Sequence, residues 1–594
     1  MTIVPLKRVT IIGPSGDKAA TVASLQEIGC LHLVPLKQVG PLEPADAGPR
    51  RRAASAWRHL TGAPRLLRPL QGLIDADFEE IIERALANKE RLRVSRDHKD
   101  FLKERIESLS VLGDFTLPSE TDLLGRKLWF YVLAVKDRRA LDAVSAPWQI
   151  VGRDPTRLHV ALITPDEPQP DILPVPRLHT GARQLSALRD DLEAMDIEIE
   201  RAEDEQAELS RYRVALGLRL ARAQDRDARE HAARTAHDEG RLFALQGWAP
   251  SAEVPRLIEF AEETELAVSF EDPGPDDLPP TLLDNPGAFE GAGPLTSFYM
   301  TPSYRSWDPS LIVFFSFALF FAMILADAGY AAVLGAGLLA YWKKLGHSAQ
   351  SQRIRTMLAV VFGTSFTYGV LAGSYFGVAP PEGSLPASLA LIDIGNFQVM
   401  MRVSVTIGVL HISLANLQVA WRNRDRVGIV MAKLGWVAVA FGGLFLWLVP
   451  SPLWYVLIVG GLVAVFVGSG LERRIEMPSD WMKRLADGAL GLTNVTKIFG
   501  DILSYMRLFA LGLASASLAA TFNLLAHDLA QSMPGVGVLL AIMVLLFGHA
   551  INLAMGILSG VVHGLRLNFI EFFNWGLSDE GYPFKAFARR ETAT

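Results

Sequence analysis

The sequence contains very little cysteine. Among its 594 residues there is a single one, Cys30, so a disulfide bond within the chain is excluded. A chain without disulfides suits a reducing compartment such as the cytosol. The N-terminus also lacks an apolar stretch as long as that of a signal peptide. We therefore expect the N-terminal half to remain in the cytosol.

A strong net charge and catalytic signatures are missing as well. The formal net charge of −6 is small for this length and gives no reason to expect a nucleic-acid partner. No spacing typical of a nucleophile and its base, of metal ligands or of a cofactor loop occurs, so we expect no catalytic residue, metal or cofactor. The turn GPSGDK at 13–18 lacks the Gly-Lys-Ser/Thr ending of a phosphate-binding loop. It is better interpreted as an ordinary turn between a strand at 7–12 and a helix at 17–28, with a second short strand at 30–34.

The composition changes sharply along the chain. Residues 1–300 are rich in Arg, Glu and Asp, whereas 311–577 contain long apolar runs of Leu, Val, Phe, Ala and Gly. This contrast predicts a cytosolic arm, 1–300, followed by a transmembrane domain, 301–594.

The soluble half is predicted to form an extended arm. Helical segments are expected at about 76–112 and 183–236, and apolar residues recur every seven positions in the second. The two seam positions hold Leu188, Met195, Ala202, Leu209, Leu216 and Ala223, and Leu185, Leu192 and Ile199. This pattern predicts an antiparallel coiled-coil hairpin. The hairpin would join a distal α+β lobe at about 113–182, with a strand at 127–135, to a proximal α+β lobe of about 1–70 and 237–300, with a strand at 242–250.

The second half is predicted to cross a membrane repeatedly. One span needs about 20 apolar residues. Six runs are long enough, and they lie at 356–377, 399–421, 427–449, 452–470, 493–529 and 535–577. The last two exceed one upright crossing, so we expect two long, strongly tilted helices.

Lysine and arginine residues between the runs predict the topology. Three connecting segments and the tail are basic and are assigned to the cytosol, whereas three other segments without Lys or Arg are assigned to the outside. The basic segments are 342–355 (Lys343, Lys344, Arg353, Arg355), 421–426 (Arg422, Arg424, Arg426), 471–492 (Arg473, Arg474, Lys483, Arg484) and the tail (Lys585, Arg589, Arg590); the neutral ones are 378–398, 450–452 and 530–534.

The remaining apolar run, 311–341, has to cross twice because both of its flanks are then cytosolic. It is expected to form a short helical pair that turns at Asp327 on the outer side. Each limb of about 15 residues would be roughly 22 Å long, which is short for a bilayer. The sequence thus predicts a mainly α protein whose membrane domain has eight spans, with both termini in the cytosol.

Two arginines stand out in the last two runs. Arg507 and Arg566 are the only Lys or Arg residues between 498 and 575. A central membrane arginine costs about 2.5–3.5 kcal/mol on insertion scales and cannot lose its charge. Asp501 and Glu571 lie six and five residues away, which is a poor spacing for a pair within one helix. Two interpretations remain open: an internal pair that fastens two helices, or a carboxylate partner on another chain.

Several stretches resemble one known family. The last two spans of V-type ATPase subunit I, also called subunit a, are similar to SYMRLFALGLASASLAATFN (504–523) and GHAINLAMGILSGVVHGLRLNFIEFFNWGLSDEGYPFKAFA (548–588). The first helical pair of that family resembles FFSFALFFAMILADAGY (314–330). The resemblance covers nearly the whole chain, and the other matching stretches are FGTSFTYGVLAGSYFG (362–377), IGVLHISLANLQ (407–418) and LQGWAP (245–250).

The resemblance implies the membrane stator of a rotary ATPase. A ring of small membrane subunits, each with a carboxylate, would turn past Arg507 and Arg566, and offset half-channels would carry the ion, with H⁺ expected and Na⁺ as the alternative. The other residues expected along the path are Asp327, His549 and Asn552 toward the outside, and Asp501, His563 and Glu571 toward the cytosol, with Ser504 nearby.

The resemblance also implies partners and a location. Peripheral-stalk subunits would dock on the cytosolic arm, and central-stalk and ATPase head subunits would complete the complex. We expect a multi-pass protein of the plasma membrane that does not itself hydrolyse ATP.

Other classes of protein fit less well. The main alternative is a secondary transporter with a cytosolic regulatory domain, but such folds usually show internal repeats, and no convincing repeat occurs here. A membrane-anchored scaffold would leave the two arginines unexplained. A membrane enzyme would need a catalytic spacing that the sequence lacks.

Overall fold

The computed structural model describes residues 3–590 except 38–46, 71–76, 111–113, 115–120, 122, 154, 170–171, 179–183, 285–292, 294–298, 347, 474, 476, 478, 534 and 578. Arg474, which supported the predicted topology, lies outside the described residues. The described chain is mainly helical and divides into two compact units. One comprises Met1–Ser15, Cys30–Val34 and Asp238–Phe587, and the other comprises Gly16–Gly29, Pro35–His237 and Ala588–Thr594.

The N-terminal half contains both strands and helices. In chain order they are β1 (Leu6–Pro14), α1 (Lys18–Ile28), β2 (His32–Val34), α2 (Ala47–Thr61), α3 (Phe78–Ser110), β3 (Lys127–Ala134), β4 (Trp148–Arg153), β5 (Arg157–Thr164), β6 (Arg177–Leu178), α4 (Leu185–Leu209), α5 (Arg213–Thr235), β7 (His237–Glu239), β8 (Leu242–Pro250), α6 (Val254–Glu263) and β9 (Ala267–Glu271). The structure confirms the predicted strands and the N-terminal helix. Helix α2 was not predicted.

The first unit contains an antiparallel sheet in the order β2–β8–β1–β9. Strand β8 pairs with β1 along its whole length, from Leu6 opposite Pro250 to Pro14 opposite Leu242. Alternate residues of β1, such as Val9 and Ile11, are buried, as the period of a strand requires.

The C-terminal tail also joins this sheet. The backbone N–H of Lys585 donates to Nδ1 of His32 at 2.9 Å, and the rings of Tyr582 and Phe584 lie beside the imidazole. Burial and the nearby Lys585 ammonium lower the pKa of His32, which keeps Nδ1 free to accept this bond. The chain that leaves the last apolar helix is thereby fixed to the N-terminal sheet.

Helices α3 and α4 of the second unit pack side by side in opposite directions. Leu102 clusters with Leu188, and Leu92 clusters with Ala202, so sequence number rises along one helix as it falls along the other. Asn88 Nδ2 donates to the Ala202 carbonyl at 2.9 Å within this interface. Six of the nine predicted seam residues are buried, namely Leu185, Leu188, Ile199, Ala202, Leu209 and Leu216. The sevenfold repeat therefore identified the contact face correctly.

The helix predicted at 183–236 is not continuous, which corrects the sequence analysis. A 3₁₀ turn at Ser210–Tyr212 separates α4 from α5. The Ser210 hydroxyl donates to the Ala207 carbonyl at 2.6 Å and accepts from Leu67 N–H at 3.0 Å. Arg213 Nη1 donates to the Leu67 carbonyl at 2.6 Å. A neighbouring segment thus binds the helix at the turn, and heptad counting along one segment cannot detect such a contact.

The segment between α3 and α4 forms a second, smaller sheet. Its strands are antiparallel in the order β4–β5–β3–β6. Tyr131 and Leu133 of β3 and Val160 and Leu162 of β5 are buried in one cluster. The predicted distal lobe therefore has its own apolar core.

The C-terminal half consists of apolar helices. In chain order its elements are β10 (Thr301–Pro302), α7 (Ser310–Leu325), α8 (Ala328–Tyr341), α9 (Ala349–Leu371), α10 (Leu385–Leu389), α11 (Phe397–Arg422), α12 (Val427–Leu448), α13 (Leu453–Leu471), α14 (Asp480–Leu492), α15 (Asn494–Ser504), α16 (Met506–Ser532), α17 (Val536–Arg566), a π-helix (Leu567–Phe572), α18 (Phe573–Gly576) and β11 (Glu580–Gly581). Within the described residues, six helical stretches are long and apolar enough to cross a membrane, and α7 and α8 are shorter apolar helices. The chain is a multi-pass membrane protein.

The run 311–341 forms the helical pair that the sequence predicted. Helix α7 ends at Ala326, whose φ of +48° places it in the left-handed region, and Asp327 caps the start of α8. The turn therefore begins one residue before the predicted Asp327.

The last two apolar runs contain breaks that the sequence analysis missed. The stretch Asp480–Ser532 is divided into α14, α15 and α16, with α15 and α16 meeting at Tyr505. Helix α17 passes into the π-helix directly after Arg566. The breaks at Tyr505 and after Arg566 therefore lie next to the two arginines, whereas the break between α14 and α15 at Thr493 does not.

Candidate functional site

Helices α16 and α17, which carry the two arginines, pack against each other in opposite directions. The buried face of α17 is built largely from glycines at intervals of four residues, namely Gly548, Gly556, Gly560 and Gly564 with Asn552 between them. A Cβ at Gly548 would lie 2.3 Å from the Phe522 ring, and one at Gly560 would lie 2.6 Å from the Phe321 ring. Glycine at these positions permits close helix packing in a membrane.

Arg507 faces a carboxylate of its own chain, but only loosely. Its Nη1 lies 3.9 Å from Oε1 of Glu571, which is longer than a direct hydrogen bond. The Glu571 side chain is 2% exposed and the Arg507 side chain is 24% exposed. Within the described residues, Arg507 Nη1 and Glu571 Oε2 have no hydrogen-bond partner. Arg507 thus keeps donors for a further partner.

The π-helix places Glu571 opposite Arg507. Single π-turns inserted in α-helices occur frequently at functional sites because the extra residue redirects the side chains that follow. Sequence spacing alone put Glu571 five residues from Arg566 and suggested neither a π-turn nor a contact with Arg507. The internal pair considered from the sequence therefore forms between the two long helical stretches, not within one of them.

Arg566 differs from Arg507 in having no carboxylate at ion-pair distance among the described residues, although Glu571 lies within its electrostatic range. It is the last residue of α17 and its side chain is exposed. In the described part of the chain, no carboxylate forms an ion pair with it. Arg507 lies within electrostatic range of Arg566, so two like charges share one region. Arg566 is the least neutralised charge of the site.

The two arginines lie at the ends of exposed faces. The face of α17 that leads to Arg566 is apolar and consists of Phe547, Ile551, Met555, Leu558 and Val562. The face of α16 that leads away from Arg507 consists of the small residues Ala510, Ala514, Ser517 and Thr521. An exposed face of small and apolar side chains next to a fixed charge suits close contact with another membrane protein.

The other residues predicted toward the cytosol lie around the same arginines. His563 is in electrostatic range of both Arg507 and Arg566, and its Nδ1 is buried without a partner among the described residues. Ser504 lies beside Glu571 and donates its hydroxyl to the Gly500 carbonyl at 3.1 Å. The structure therefore brings these residues into one cluster.

Asp501 belongs to an adjoining cluster that the sequence analysis did not foresee. Trp575 Nε1 donates to Asp501 Oδ2 at 2.7 Å. The ammonium groups of Lys433 and Lys497 lie 5.7 and 5.5 Å from the centre of the Trp575 ring. The cluster of Asp501 and Trp575 therefore lies next to the arginine cluster, since Asp501 is six residues before Arg507 and Trp575 is four residues after Glu571.

The residues predicted toward the outside form a hydrogen-bonded chain. The Tyr330 hydroxyl lies 2.7 Å from His549 Nδ1 and accepts from Asn552 Nδ2 at 3.1 Å. His549 Nε2 lies 3.0 Å from Asn523 Oδ1, and Asn552 Nδ2 also donates to the Ser515 carbonyl at 2.9 Å. Tyr330 and Asn523 were missed by the sequence analysis, although a tyrosine three residues after the predicted turn was a usable signal.

Replacing Tyr330 with phenylalanine should destabilise this chain. The change removes one hydroxyl and leaves His549 Nδ1 and Asn552 Nδ2 each short of a partner, which costs about 1–3 kcal/mol for a buried polar group. We expect a lower midpoint of thermal unfolding in detergent. Tyr341→Phe is the matched control, because Tyr341 ends the same helix and is 59% exposed. Equal unfolding midpoints for the two variants would contradict a stabilising role of the Tyr330 hydroxyl in this chain of hydrogen bonds.

Asp327 is saturated by donors of its own chain. Its Oδ1 accepts from Tyr330 N and Phe376 N at 3.0 Å each, and its Oδ2 accepts from the Ser374 hydroxyl at 2.7 Å and Gly377 N at 2.8 Å. The carboxylate therefore joins the turn between α7 and α8 to the loop after α9.

His411 supports the arginine cluster from within the bundle. Its Nδ1 lies 2.7 Å from the Tyr505 hydroxyl, and its ring stacks on Phe572 at 4.3 Å between centroids. Tyr505 lies two residues before Arg507, and Phe572 directly follows Glu571. His411 thus fixes the two segments that present the pair. His411 lies in the stretch 407–418, which resembles the family, but the sequence predicted no role for it.

Taken together, the fold and the site define a polytopic membrane protein whose last two helical stretches carry paired, incompletely neutralised arginines. The sequence is 28% identical over 476 residues to V-type ATP synthase subunit I of Chlamydia pneumoniae, covering 68% of this chain and 69% of that protein. It is 34% identical over 381 residues to V-type ATP synthase subunit I 1 of Treponema pallidum, covering 59% and 58%. It is also 28% identical over 394 residues to A-type ATP synthase subunit I of Methanocaldococcus jannaschii, covering 60% and 56%. Over these aligned parts, the chain is similar in sequence to the subunit I proteins of V-type and A-type ATP synthases.

The other comparisons add little to this assignment. No family model matches the chain. A crystal structure of the cytoplasmic N-terminal domain of subunit I, homolog of subunit a, of V-ATPase is 18% identical and covers 44% of this chain and 99% of its own. The TM-score between that structure and this chain is 0.25, and no similarity of fold is inferred from it.

Proposed function

We propose that the chain is the membrane stator of a rotary V-type ATPase and forms the ion path against a rotating ring. The observation that carries this proposal is Arg566, an exposed guanidinium at the end of an apolar face that forms no direct ion pair within the described residues. Exposed to lipid, such a charge would cost about 2.5–3.5 kcal/mol or more. A carboxylate supplied by another membrane subunit removes this cost.

The two arginines would act by controlling when a ring carboxylate is ionised. A carboxyl group that arrives beside Arg507 and Arg566 loses its ion because the fixed positive charge favours the charged form. At 4 Å an ion pair is worth about 4 kcal/mol at an effective dielectric constant of 20, and about 1 kcal/mol in water. The loose contact with Glu571 leaves Arg507 able to take part. The same charges prevent ions from passing directly between the half-channels.

The polar residues around the arginines would form the half-channels. Glu571, His563, Ser504 and Asp501 are assigned to the cytosolic side, and His549, Asn552 and Asp327 to the outer side. We assign Asp327 an indirect part, since its four hydrogen bonds hold the turn from which Tyr330 reaches His549. The expected ion is H⁺.

The proposed topology has to bring Arg507 to the depth at which it can meet a ring carboxylate. Arg507 lies 25 residues from the end of α16 at Ser532, or about 37 Å at 1.5 Å per residue, so a strong tilt is needed to bring it to mid-membrane depth. We propose eight spans, with α7 and α8 each crossing once, in a transmembrane domain at 301–594. The N-terminal domain and the C-terminus are placed in the cytoplasm, and the protein in the plasma membrane.

The soluble half would serve as the stator arm, 1–300. We propose that α3 and α4 form an antiparallel coiled-coil hairpin between a proximal and a distal lobe, supported by the buried heptad positions and by the ion pair Arg96–Glu203 at 2.7 Å. Peripheral-stalk subunits would dock on this arm. The ring, the central stalk and the ATPase head would be the other subunits of the complex, and ion flow would be coupled to ATP hydrolysis or synthesis in that head.

Cysteine cross-linking tests the proposed ring contact. Cys30, the only cysteine, is buried, so introduced cysteines give a clear signal. Ala514→Cys and Leu558→Cys lie on the exposed faces of α16 and α17 and should cross-link to a small membrane subunit in the purified complex. Val459→Cys, on α13 and 58% exposed, is the control. A chain that purifies without small apolar subunits would instead support a secondary transporter.

A further inference from the structure

Two lysines lie over one tryptophan in the cluster next to the arginines. Lys433 comes from α12 and Lys497 from α15, and both ammonium groups lie within 6 Å of the centre of the Trp575 ring, at 5.7 and 5.5 Å. Lys433 Nζ also donates to the Trp575 carbonyl at 3.4 Å. No ion pair joins either lysine to a carboxylate in the part of the chain that the structure describes. Contacts with an aromatic face hold a cation in place without neutralising it.

The position of this cluster matters for the ion path. Trp575 lies four residues after Glu571, and Asp501 lies six residues before Arg507. The hydrogen bond from Trp575 Nε1 to Asp501 closes the cluster at the cytosolic end of both helical stretches in the proposed topology. An ion that moves between the cytosol and the arginines would pass these groups.

The charges of the combined site are unbalanced. Arg507, Arg566, Lys433 and Lys497 contribute four positive charges, whereas Glu571 and Asp501 contribute two negative charges when ionised. A metal cation retains its charge throughout its passage and is repelled by this excess at every step. A proton is carried differently, because it can be held by Asp501, His563 or Glu571 and leaves no free cation in the path.

We propose that Lys433 and Lys497, held on Trp575, form a barrier that keeps Na⁺ and other metal cations out of the cytosolic end of the ion path. This inference rests on the proposed stator function and names H⁺ as the ion that the path admits. Of the two lysines, Lys433 should repel a metal cation more strongly. It is less exposed to water than Lys497, and its charge is therefore screened less.

The test uses the complete complex, reconstituted in liposomes with the ATPase head outside. ATP-driven proton uptake is followed with a pH-sensitive dye while choline in the outer medium is replaced by Na⁺ at constant ionic strength. We expect Na⁺ to leave the rate of the natural protein unchanged. In Lys433→Gln/Lys497→Gln, Na⁺ should enter the path and slow uptake, with half-inhibition at a concentration about tenfold or more below the highest one that leaves the natural protein unaffected.

Two further variants make the result specific. Lys344→Gln is the matched control, because Lys344 also lies over an aromatic ring, that of Tyr341 at 5.3 Å, but belongs to a different segment. Lys497→Gln alone should give a smaller effect of the same sign. This single variant replaces the double variant in the test if the double variant fails to assemble. Lys497 is exposed, so its replacement should disturb the packing little.

Three results would overturn the inference: Na⁺ slows the natural protein as much as the double variant, neither lysine variant responds to Na⁺, or the natural complex takes up labelled Na⁺ on ATP addition. None of these would remove the stator role, which depends on Arg507 and on the contact with the ring. A complex carrying Arg507→Ala that still pumps protons normally would remove the stator role itself.

Discussion

Replacing Arg507 with alanine is expected to abolish coupled ion transport while the complex still assembles. The substitution removes the fixed charge that makes an arriving ring carboxylate give up its ion. On the scale of about 4 kcal/mol for an ion pair at 4 Å and a dielectric constant of 20, the loss corresponds to a decrease of roughly a thousandfold in rate. The measurement is ATP-driven ion uptake into liposomes, with the subunit composition checked by gel electrophoresis.

The variant should not fail merely because it unfolds. Arg507 makes one ion contact within the described residues, at 3.9 Å, and its Nη1 has no hydrogen bond there. Removing it does leave the Glu571 carboxylate without its nearest cation. The double variant Arg507→Ala/Glu571→Gln also removes this carboxylate charge, and it should assemble as well as the single variant and remain inactive. Arg424→Ala, in the exposed segment between α11 and α12, is the control and should pump normally. Normal pumping by Arg507→Ala would rule out the stator function.

Much of the fold could be predicted because its strongest signals are local. Apolar length and the placement of Lys and Arg gave the long apolar helices and the helical pair around Asp327, and a sevenfold repeat gave the contact face of α4. The 3₁₀ turn at Ser210–Tyr212 was missed because its cause, a contact with Leu67, lies far away in sequence. Periodicity along one segment cannot report a contact made by another.

The site was predictable to a similar, limited extent. A charged residue in an apolar run is visible in sequence, and this identified Arg507 and Arg566. Their partners were not visible, because Glu571 meets Arg507 only through the π-helix. The sequence also did not indicate a role for four further residues, because their contacts join helices that are far apart in the chain. These residues are Tyr330, His411, Lys433 and Trp575. Asp327, expected beside the ion path, also accepts four hydrogen bonds that fix its turn, and these partners were not visible in the sequence either.

Arg566→Ala should impair ion transport strongly, though less completely than Arg507→Ala. Arg566 is exposed and forms no direct ion pair in the described part of the chain, so its loss removes positive charge from the ring face without breaking a close contact to a carboxylate of its own chain. Arg507 would remain, and the mutual repulsion of the two arginines would disappear. We expect residual pumping of a few per cent to some tens of per cent, equivalent to about 1–2 kcal/mol of lost stabilisation.

The difference between charge and shape can be tested at the same position. Arg566→Lys keeps the positive charge but loses the planar group that can bind a carboxylate with two hydrogen bonds. If Arg566 acts mainly through its charge, the lysine variant should pump clearly faster than the alanine variant. Raising the salt concentration should not change this difference in rate, because a charge pair at a dry interface is little screened. If lysine and alanine are equally defective, Arg566 instead recognises the geometry of the ring carboxylate. Full activity of Arg566→Ala would contradict both roles and would leave Arg507 as the only charge that the ring needs to meet.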